Sequence, residues 1–203
     1  MLELDHLAVA AATLEEGRAA VEEALGVRLQ PGGQHAHFAT HNMLLGFDDG
    51  LYLEVIAVDP GEAAPSYARW FDLDRFEGPP KLNNWICRSD DLVADVARFP
   101  DAGRPVALTR GNLNWRMAVP ETGVLPYDNL FPALMQWDCA DHPAQRLQAS
   151  GCALARLIVS HPAAGELAGS LAPVLHDDRV QFEKGPTGLR AEITTPAGLR
   201  VLE

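Results

Sequence analysis

The amino-acid sequence predicts an α+β fold assembled from repeated βαβββ modules. Three observations predict it. Short apolar runs of strand length are bounded by turn residues, a helix start signal follows the first run of each set, and the order of one strand, one helix and three strands occurs three times within 203 residues. We therefore interpret residues 1–203 as one protein with modules at 2–58, 83–139 and 153–203 and an aromatic insert at 59–82.

The first module shows the pattern most plainly. The apolar run 4–11 is typical of a buried strand, and Thr13 with Glu16 three residues later forms the capping box of a helix that should end at Gly26. Three strands are predicted after this helix, the last two joined by a turn signal at 48–50: residues 27–30, 37–47 and 51–58.

The second and third modules repeat this order. Asp90 and Asp91 can cap the helix of the second module, which should end near Phe99. The predicted strands of the second module are 84–89, 105–110, 114–119 and 132–137, and those of the third are 155–160, 180–183, 189–194 and 199–202, with a helix at 166–175. The insert is too rich in aromatic residues for a flexible linker, so we expect it to pack as a short helix or lid.

Composition and charge argue against several function classes. Lys and Arg number 16 against 28 Asp and Glu, which gives a net charge of −12 and disfavours nucleic acid as a partner. The longest apolar runs are far shorter than the ~20 residues of a membrane span, and the N-terminus is acidic where a secretory signal is basic. Cys87, Cys139 and Cys152 are odd in number and lack CxxC spacing, which argues against disulfides and a cysteine-rich zinc site. We expect a cytoplasmic protein that has no membrane partner.

Two polar side chains lie where burial is costly. His6 interrupts the first strand, and Glu54 lies in the apolar run 51–58 on a face that also carries Tyr52 and Ile56. An unpaired buried charge is expensive, so each group is either paired or part of a site. His6 alone is more often a hydrogen-bonded structural residue, and Glu54 alone is balanced between a paired surface carboxylate and a site residue.

A series of short strings along the chain carries a family resemblance. LDHLAV at 4–9 and HNMLLGFDDGLYLEVI at 41–56 are followed by Leu125-Pro126, Met135-Gln136-Trp137, His142-Pro143 and the string IVSHP at 158–162. Their order, together with three βαβββ units, resembles the vicinal oxygen chelate superfamily, which includes glyoxalase I, bleomycin-resistance proteins and extradiol dioxygenases, and in particular its glyoxalase-like branch. The similarity covers nearly the whole chain. It implies curved mixed sheets, with two modules paired around a cup-shaped cavity.

The resemblance also implies a metal site. In such proteins the His of the first strand and the Glu of the fourth strand bind a divalent metal, and His6 and Glu54 match these positions. Imidazole nitrogen and carboxylate oxygen suit Fe, Mn, Ni, Co or Zn. The corresponding positions of the second module carry the amides Asn84 and Gln136, where metal-dependent members usually place His or Glu.

Other side chains are candidates for substrate binding. Arg116 can hold a substrate carboxylate, and Trp137 can line the cup. Asn84 and Gln136 can act as polar anchors rather than as catalytic bases, because amides do not titrate. A solvated arginine and a core tryptophan are the alternatives. The histidines around the second strand are more often structural or surface residues: His35, His37 and His41.

The sequence leaves different function classes open. The first hypothesis is a glyoxalase-like metalloenzyme, of lyase, isomerase or dioxygenase type, in which Glu54 is both a metal ligand and a catalytic base for a small oxygenated organic substrate. The alternative is a metal-free binding protein of the bleomycin-resistance type that sequesters a small molecule in the same cup. In a third possibility, the third module is the contact surface of a homodimer and the cup is vestigial.

Overall fold

The computed structural model describes residues 1–203 and has the α+β architecture that the sequence predicts. A curved eight-stranded sheet carries the first two modules, and a four-stranded sheet carries the third. The first module contains β1 (Leu2–Ala10), α1 (Leu14–Leu25), β2 (Gln30–His35), β3 (Thr40–Gly46) and β4 (Tyr52–Val58). The second contains β5 (Lys81–Ser89), α2 (Leu92–Arg98), β6 (Arg104–Arg110), β7 (Leu113–Val119), α3 (Pro126–Asn129) and β8 (Ala133–Trp137), and is followed by α4 (Pro143–Arg146). The third contains β9 (Ala153–Ser160), α5 (Ala164–Leu171), β10 (Val180–Glu183), β11 (Gly188–Thr195) and β12 (Gly198–Leu202).

Helix α1 begins and ends where the sequence predicts. Thr13 Oγ1 accepts a hydrogen bond from the backbone N–H of Glu16 at 3.2 Å, and Gly26 ends the helix with a φ of 71°, which favours glycine. The helix packs on β4 at Gly17, where a Cβ atom would lie 2.4 Å from Val55 Cγ1. This close approach requires glycine and fixes α1 against one face of β4.

The strand order of the large sheet is β2-β3-β4-β1-β5-β8-β7-β6. Strands β1 and β5 are antiparallel neighbours at its centre and join the two modules, while β1 pairs with β4 and β5 with β8 in parallel. The sheet curls until its edges approach each other, since Arg110 on β6 donates hydrogen bonds to the side chains of His35 on β2 and Asn42 on β3. The result is a half-barrel whose concave face forms the cup that the resemblance implies.

The structure differs from the prediction at the strand after α1 and adds detail to the insert. Strand β2 lies at Gln30–His35 rather than at 27–30, because the stretch Pro31–Gly33 is itself part of the strand and pairs with β3 through a break in register. The insert contains a short 3-10 segment at Trp70–Arg75. Within it, Phe71 and Asp72 adopt left-handed φ values of 60° and 58°, which residues other than glycine rarely adopt.

The third module packs against the first through the turn between β3 and β4. Asp49 Oδ2 accepts a hydrogen bond from the backbone N–H of Leu154 at 3.2 Å and pairs with the guanidinium of Arg179 at 2.9 Å. The backbone N–H of Asp48 donates to the carbonyl of Cys152 at 2.7 Å. These contacts fix the position of the third module relative to the first.

Cys87, Cys139 and Cys152 are all free thiols in the structure. Burial raises the pKa of the Cys87 thiol well above its ordinary value, so this thiol is a protonated core group. None of the helices combines the length and the apolar composition that a membrane crossing would need.

The contacts of Asp49 predict an effect on stability. Asp49→Ala removes the acceptor of the Leu154 N–H and the partner of Arg179, so we expect the free energy of unfolding to fall by about 1–3 kcal/mol. Urea unfolding followed by circular dichroism measures this change. The matched control is Asp101→Ala, at an exposed side chain, which should cost less than about 0.5 kcal/mol. Equal losses in both variants would contradict the role of Asp49 in docking the third module.

Candidate functional site

A cavity lies on the concave face of the large sheet. Its polar end is formed by His6, His35, Asn42, Glu54 and Arg110. The rest of its wall is apolar or aromatic: Leu44, Tyr52, Trp70, Phe71, Trp115, Met117, Met135 and Trp137. The enclosed space is about 30 Å³, and it adjoins an outer groove of about 530 Å³ that shares Leu44 and Arg110 with it. A concave site with an aromatic wall and a few polar groups is typical of small-molecule binding.

A break in strand register places the first polar pair. Between Leu4 and His6 the pairing of β1 with β5 shifts by one residue, so Asp5 has no partner across the strands. Asp5 Oδ1 lies 2.6 Å from His6 Nδ1, and the other ring nitrogen, Nε2, lies 3.5 Å from Glu54 Oε1. The parallel pairing of β1 with β4 sets this second distance, since Glu54 is opposite Ala8, two residues from His6.

The carboxylate of Asp5 is completely buried and joins the two modules. Its Oδ2 accepts hydrogen bonds from Trp137 Nε1 at 3.1 Å and His142 Nε2 at 2.9 Å, and the guanidinium of Arg88 lies 3.7 Å away. One carboxylate therefore fixes both the His6 imidazole and the indole of Trp137 on the second module. The sequence did not single out Asp5 or His142 as site residues, although an acid next to His6 in an apolar strand is a signal for such a pair.

Burial and mutual contacts set the charges of this group. Burial lowers the pKa of His6, but hydrogen bonds and opposite charges from Asp5 and Glu54 outweigh it and raise that pKa to about 9. Burial raises the pKa of Asp5, but hydrogen bonds from His142 and His6 outweigh it, so this pKa lies well below its ordinary value. Burial likewise raises the pKa of Glu54, and the contacts with His6 and Asn42 lower it overall. At neutral pH the group is an imidazolium between two carboxylates.

Asn42 and His35 fix Arg110 beside the cavity. Asn42 Nδ2 donates to Glu54 Oε2 at 2.8 Å, and Asn42 Oδ1 accepts from Arg110 Nη1 at 3.2 Å. Arg110 Nη1 also lies 3.4 Å from His35 Nε2. Burial lowers the pKa of His35 to about 4, so the ring is neutral and Nε2 can accept this hydrogen bond. Gly33 leaves the necessary room, because a Cβ atom there would lie 2.7 Å from Arg110 Cδ.

The left-handed turn of the insert is held by side-chain amides. The carbonyl of Phe71 accepts hydrogen bonds from Asn83 Nδ2 at 2.8 Å and Asn129 Nδ2 at 3.3 Å, and Asn84 Oδ1 accepts from both amides. Asn84 is fully buried and does not line the cavity. Its position therefore supports the turn that presents Trp70 and Phe71, rather than contact with a ligand.

Three of the residues predicted for the site meet in the cavity: His6, Glu54 and Trp137. Gln136 lies outside it, because the residues on either side alternate toward the cavity, and its Oε1 accepts a hydrogen bond from the first backbone N–H of α2 at 2.9 Å. Arg116 also lies outside, and its guanidinium pairs with Asp138 at 2.8 and 2.9 Å. Strand alternation thus separates Gln136 and Arg116 from the cavity, and Arg110 is the arginine that lines it.

The donor set of the cavity does not fit a resident divalent metal. His6 Nε2 and Glu54 Oε1 are two donors, whereas a catalytic zinc site takes three protein ligands, and no third His, Cys, Asp or Glu completes a cluster. The facing wall of the second module presents thioether and indole groups: Met117, Met135 and Trp137. The guanidinium of Arg110 places a positive charge beside the same space. The two residues that the resemblance implies are present together, but the rest of a metal site is not.

The chain belongs to the glyoxalase-like domain family, whose profile matches residues 4–175. This match confirms the resemblance to the vicinal oxygen chelate superfamily. It also supports membership of an enzyme family that acts on small molecules. No curated protein sequence matches the chain significantly.

Several solved structures are similar to this chain. A hypothetical protein from Staphylococcus aureus is 15% identical, with 93% of this chain and 88% of that chain covered and a TM-score of 0.61. The methylmalonyl-CoA epimerase from Mycobacterium tuberculosis is 20% identical, with 68% and 88% covered and a TM-score of 0.44. The epimerase from Streptomyces coelicolor is 15% identical, with 67% and 97% covered and a TM-score of 0.44. At these identities the similarity describes the fold alone.

The raised pKa of His6 predicts a pH dependence of stability. Below about pH 6.5 both the folded and the unfolded chain hold this proton, and between 6.5 and about 9 only the folded chain holds it. The free energy of unfolding should therefore fall as the pH rises through this range, by about 1–3 kcal/mol more than in His6→Gln. Denaturant unfolding of both proteins at several pH values measures the difference. The lowered pKa of His35 acts below this range and does not obscure it. Parallel pH profiles for the two proteins would contradict the ion-paired state of His6.

The incomplete donor set predicts weak metal binding. Calorimetric titration of the tag-free protein with Zn²⁺ or Ni²⁺ should show no stoichiometric site tighter than about 10 µM. His6→Ala and Glu54→Ala should leave the metal content of the purified protein unchanged. A tight one-to-one site that both substitutions abolish would instead support the metalloenzyme.

Proposed function

We propose that the protein is an enzyme that transfers a proton on a small carbonyl compound, with Glu54 as the base and His6 as the acid. The observation that carries this proposal is the pair of Glu54 Oε1 and His6 Nε2, 3.5 Å apart at the polar end of the cavity. Each partner is fixed from behind, Glu54 by Asn42 and His6 by Asp5. A carboxylate and an imidazolium held this close can act on adjacent atoms of one substrate.

Glu54 is an ionised carboxylate that can accept a proton from a substrate carbon. Its carboxylate is buried and its pKa is lowered overall, because the contacts with His6 and Asn42 outweigh burial, so it is ionised at neutral pH. In the proposed step, Oε1 accepts the proton of a carbon next to a carbonyl group, and the electrons of the broken C–H bond form an enolate. His6 Nε2–H donates to the developing enolate oxygen. Return of the same proton to carbon gives an isomerised product, and return of a solvent proton gives an exchanged product, so water is the only further reactant.

The wall of the cavity supports this chemistry. Aromatic side chains surround the polar end and lower the local polarity, which strengthens electrostatic contacts with a charge that develops in the reaction. A binding protein that only sequesters a ligand gains little from an ionised triad in its interior, because burying charges is costly. The Asp5, His6 and Glu54 group therefore favours the enzyme over the sequestering role. Homodimer formation and a cytoplasmic location stay predictions from the sequence.

Deuterium exchange tests the proposal directly. We expect the protein in deuterium oxide to exchange the C–H protons next to the carbonyl of at least one small probe, among pyruvate, hydroxyacetone and acetoin. Proton NMR measures the loss of these C–H signals. Glu54→Gln keeps the size of the side chain and removes the base, so the exchange rate should fall at least about 100-fold. Binding of these probes without any catalysed exchange would instead support the sequestering protein.

The control for this experiment is a carboxylate outside the cavity. Glu62→Gln makes the same change at an exposed side chain and should leave the exchange rate within about twofold of the unchanged protein. A Glu54→Gln protein as active as Glu62→Gln would rule out Glu54 as the base.

A further inference from the structure

We infer that the cavity selects carboxylates, and that Trp70 and Arg110 are the residues that hold the carboxylate group. The inference rests on the proposed function only in taking this cavity as the substrate site. It adds the chemical class of the substrate and two specificity-determining side chains, neither of which stood out in the sequence.

Arg110 is a cation without an acidic partner. Arg110 has no Asp or Glu within ion-pair distance, whereas most arginines of this acidic chain do. The arginines with an acidic partner include Arg69, Arg75, Arg88, Arg116, Arg146, Arg156, Arg179 and Arg190. Its two protein contacts, with His35 and Asn42, are both made by Nη1. Nε and Nη2 remain as donors on a half-buried side chain that lines both the cavity and the outer groove.

Trp70 carries the one buried polar side-chain atom of the structure that lacks a hydrogen-bond partner, its indole Nε1. Trp70 is 4% exposed and lines the cavity. Buried indole N–H groups usually have an acceptor. The indole of Trp85 donates to the Leu130 carbonyl at 2.8 Å, and that of Trp137 donates to Asp5 at 3.1 Å. A buried donor without an acceptor costs about 1–3 kcal/mol, and a bound acceptor would remove that cost.

The indole of Trp70 and the guanidinium of Arg110 share one neighbour, the side chain of His35. His35 lies edge-on to Trp70, with ring centroids 5.1 Å apart, and its Nε2 is 3.4 Å from Arg110 Nη1. Trp70 is also stacked on Phe38 and Phe71, at 4.5 and 5.0 Å, so the indole is fixed by its neighbours. In the inferred complex the carboxylate lies beside His35 and accepts from both the indole and the guanidinium.

A carboxylate is the group that this arrangement suits. Its two oxygens accept from the guanidinium fork and from the indole, and its charge is offset by Arg110 in a protein of net charge −12 that otherwise repels anions. The carboxylate of Glu54 repels the same group, so the substrate should lie with its anionic end at Arg110 and its reacting carbon toward Glu54. The substrate class is thus a short oxo carboxylate, with any larger substituent in the outer groove.

NMR titration of the full chain tests the inference at equilibrium, without turnover. The four tryptophans give indole N–H signals, and Trp70→Phe identifies the one from Trp70. Acetate and pyruvate, added up to tens of millimolar, should shift the Trp70 signal saturably, whereas the neutral methyl pyruvate and acetone should not. Arg110→Met should weaken pyruvate binding about tenfold or more, and Arg110→Lys should restore part of it.

Arg104→Met is the matched control, because Arg104 lies on the same strand, is exposed and has no acidic partner. It should leave pyruvate binding within about twofold. Trp70→Phe keeps an aromatic ring but loses the donor, and it should weaken pyruvate binding, measured by calorimetry, more than it weakens binding of methyl pyruvate. Equal affinities for the ester and the acid, equal effects of Arg104→Met and Arg110→Met, or a Trp70 signal that no carboxylate shifts would each overturn the inference.

These outcomes separate the inference from the proposed function. Carboxylate binding that persists in Glu54→Gln, with no catalysed exchange in either protein, would sustain the inference and reject the proton-transfer enzyme. Catalysed exchange of hydroxyacetone and acetoin, without carboxylate binding, would support the proton-transfer enzyme and reject the inference.

Discussion

The buried carboxylate of Asp5 is the constraint on which the rest of the site depends. A charge without solvent is costly unless donors surround it, and here imidazole, indole and a second imidazole all donate to one side chain. These donors come from β1, from the last strand of the second module and from the N-cap residue of α4. The orientation of His6, the placement of Trp137 and the contact between the two modules therefore have one physical origin. A change at Asp5 would alter the shape of the cup and the charge of its acid together.

The two modules of the half-barrel contribute unequally to the cavity. The first supplies His6, Glu54, Asn42 and His35, while the second supplies two tryptophans, two methionines and Arg110. The βαβββ repeat makes the backbones similar, and strand alternation decides which side chains reach the cavity. Where a symmetric pair of modules would surround a metal with ligands from both halves, this chain has polar groups on one side and thioether and indole surface with one arginine on the other.

The repeat, the helix caps and the His6 and Glu54 pair could be predicted because they rest on local signals, such as Thr13 with Glu16 and polar residues inside apolar strands. The sheet face on which Gln136 and Arg116 lie could not be predicted, because a shift of one residue along a strand moves a side chain to the opposite face. Arg110 was missed for a different reason. Its place depends on the curl that brings β6 to β2 and on the absence of a side chain at Gly33, and neither is visible in a single strand. Asp5 contacts His142 and Trp137 across sequence separations of 137 and 132 residues, so no local signal marks these contacts.

The small enclosed space has a consequence for how substrates are distinguished. About 30 Å³ admits only the head of a molecule, and the remainder stays in a broad groove that is open to water. Discrimination then falls on one end of each compound, and compounds that share this end but differ in their tails are treated alike. If the proposed function holds, such a site would accept a homologous series of compounds that share one end.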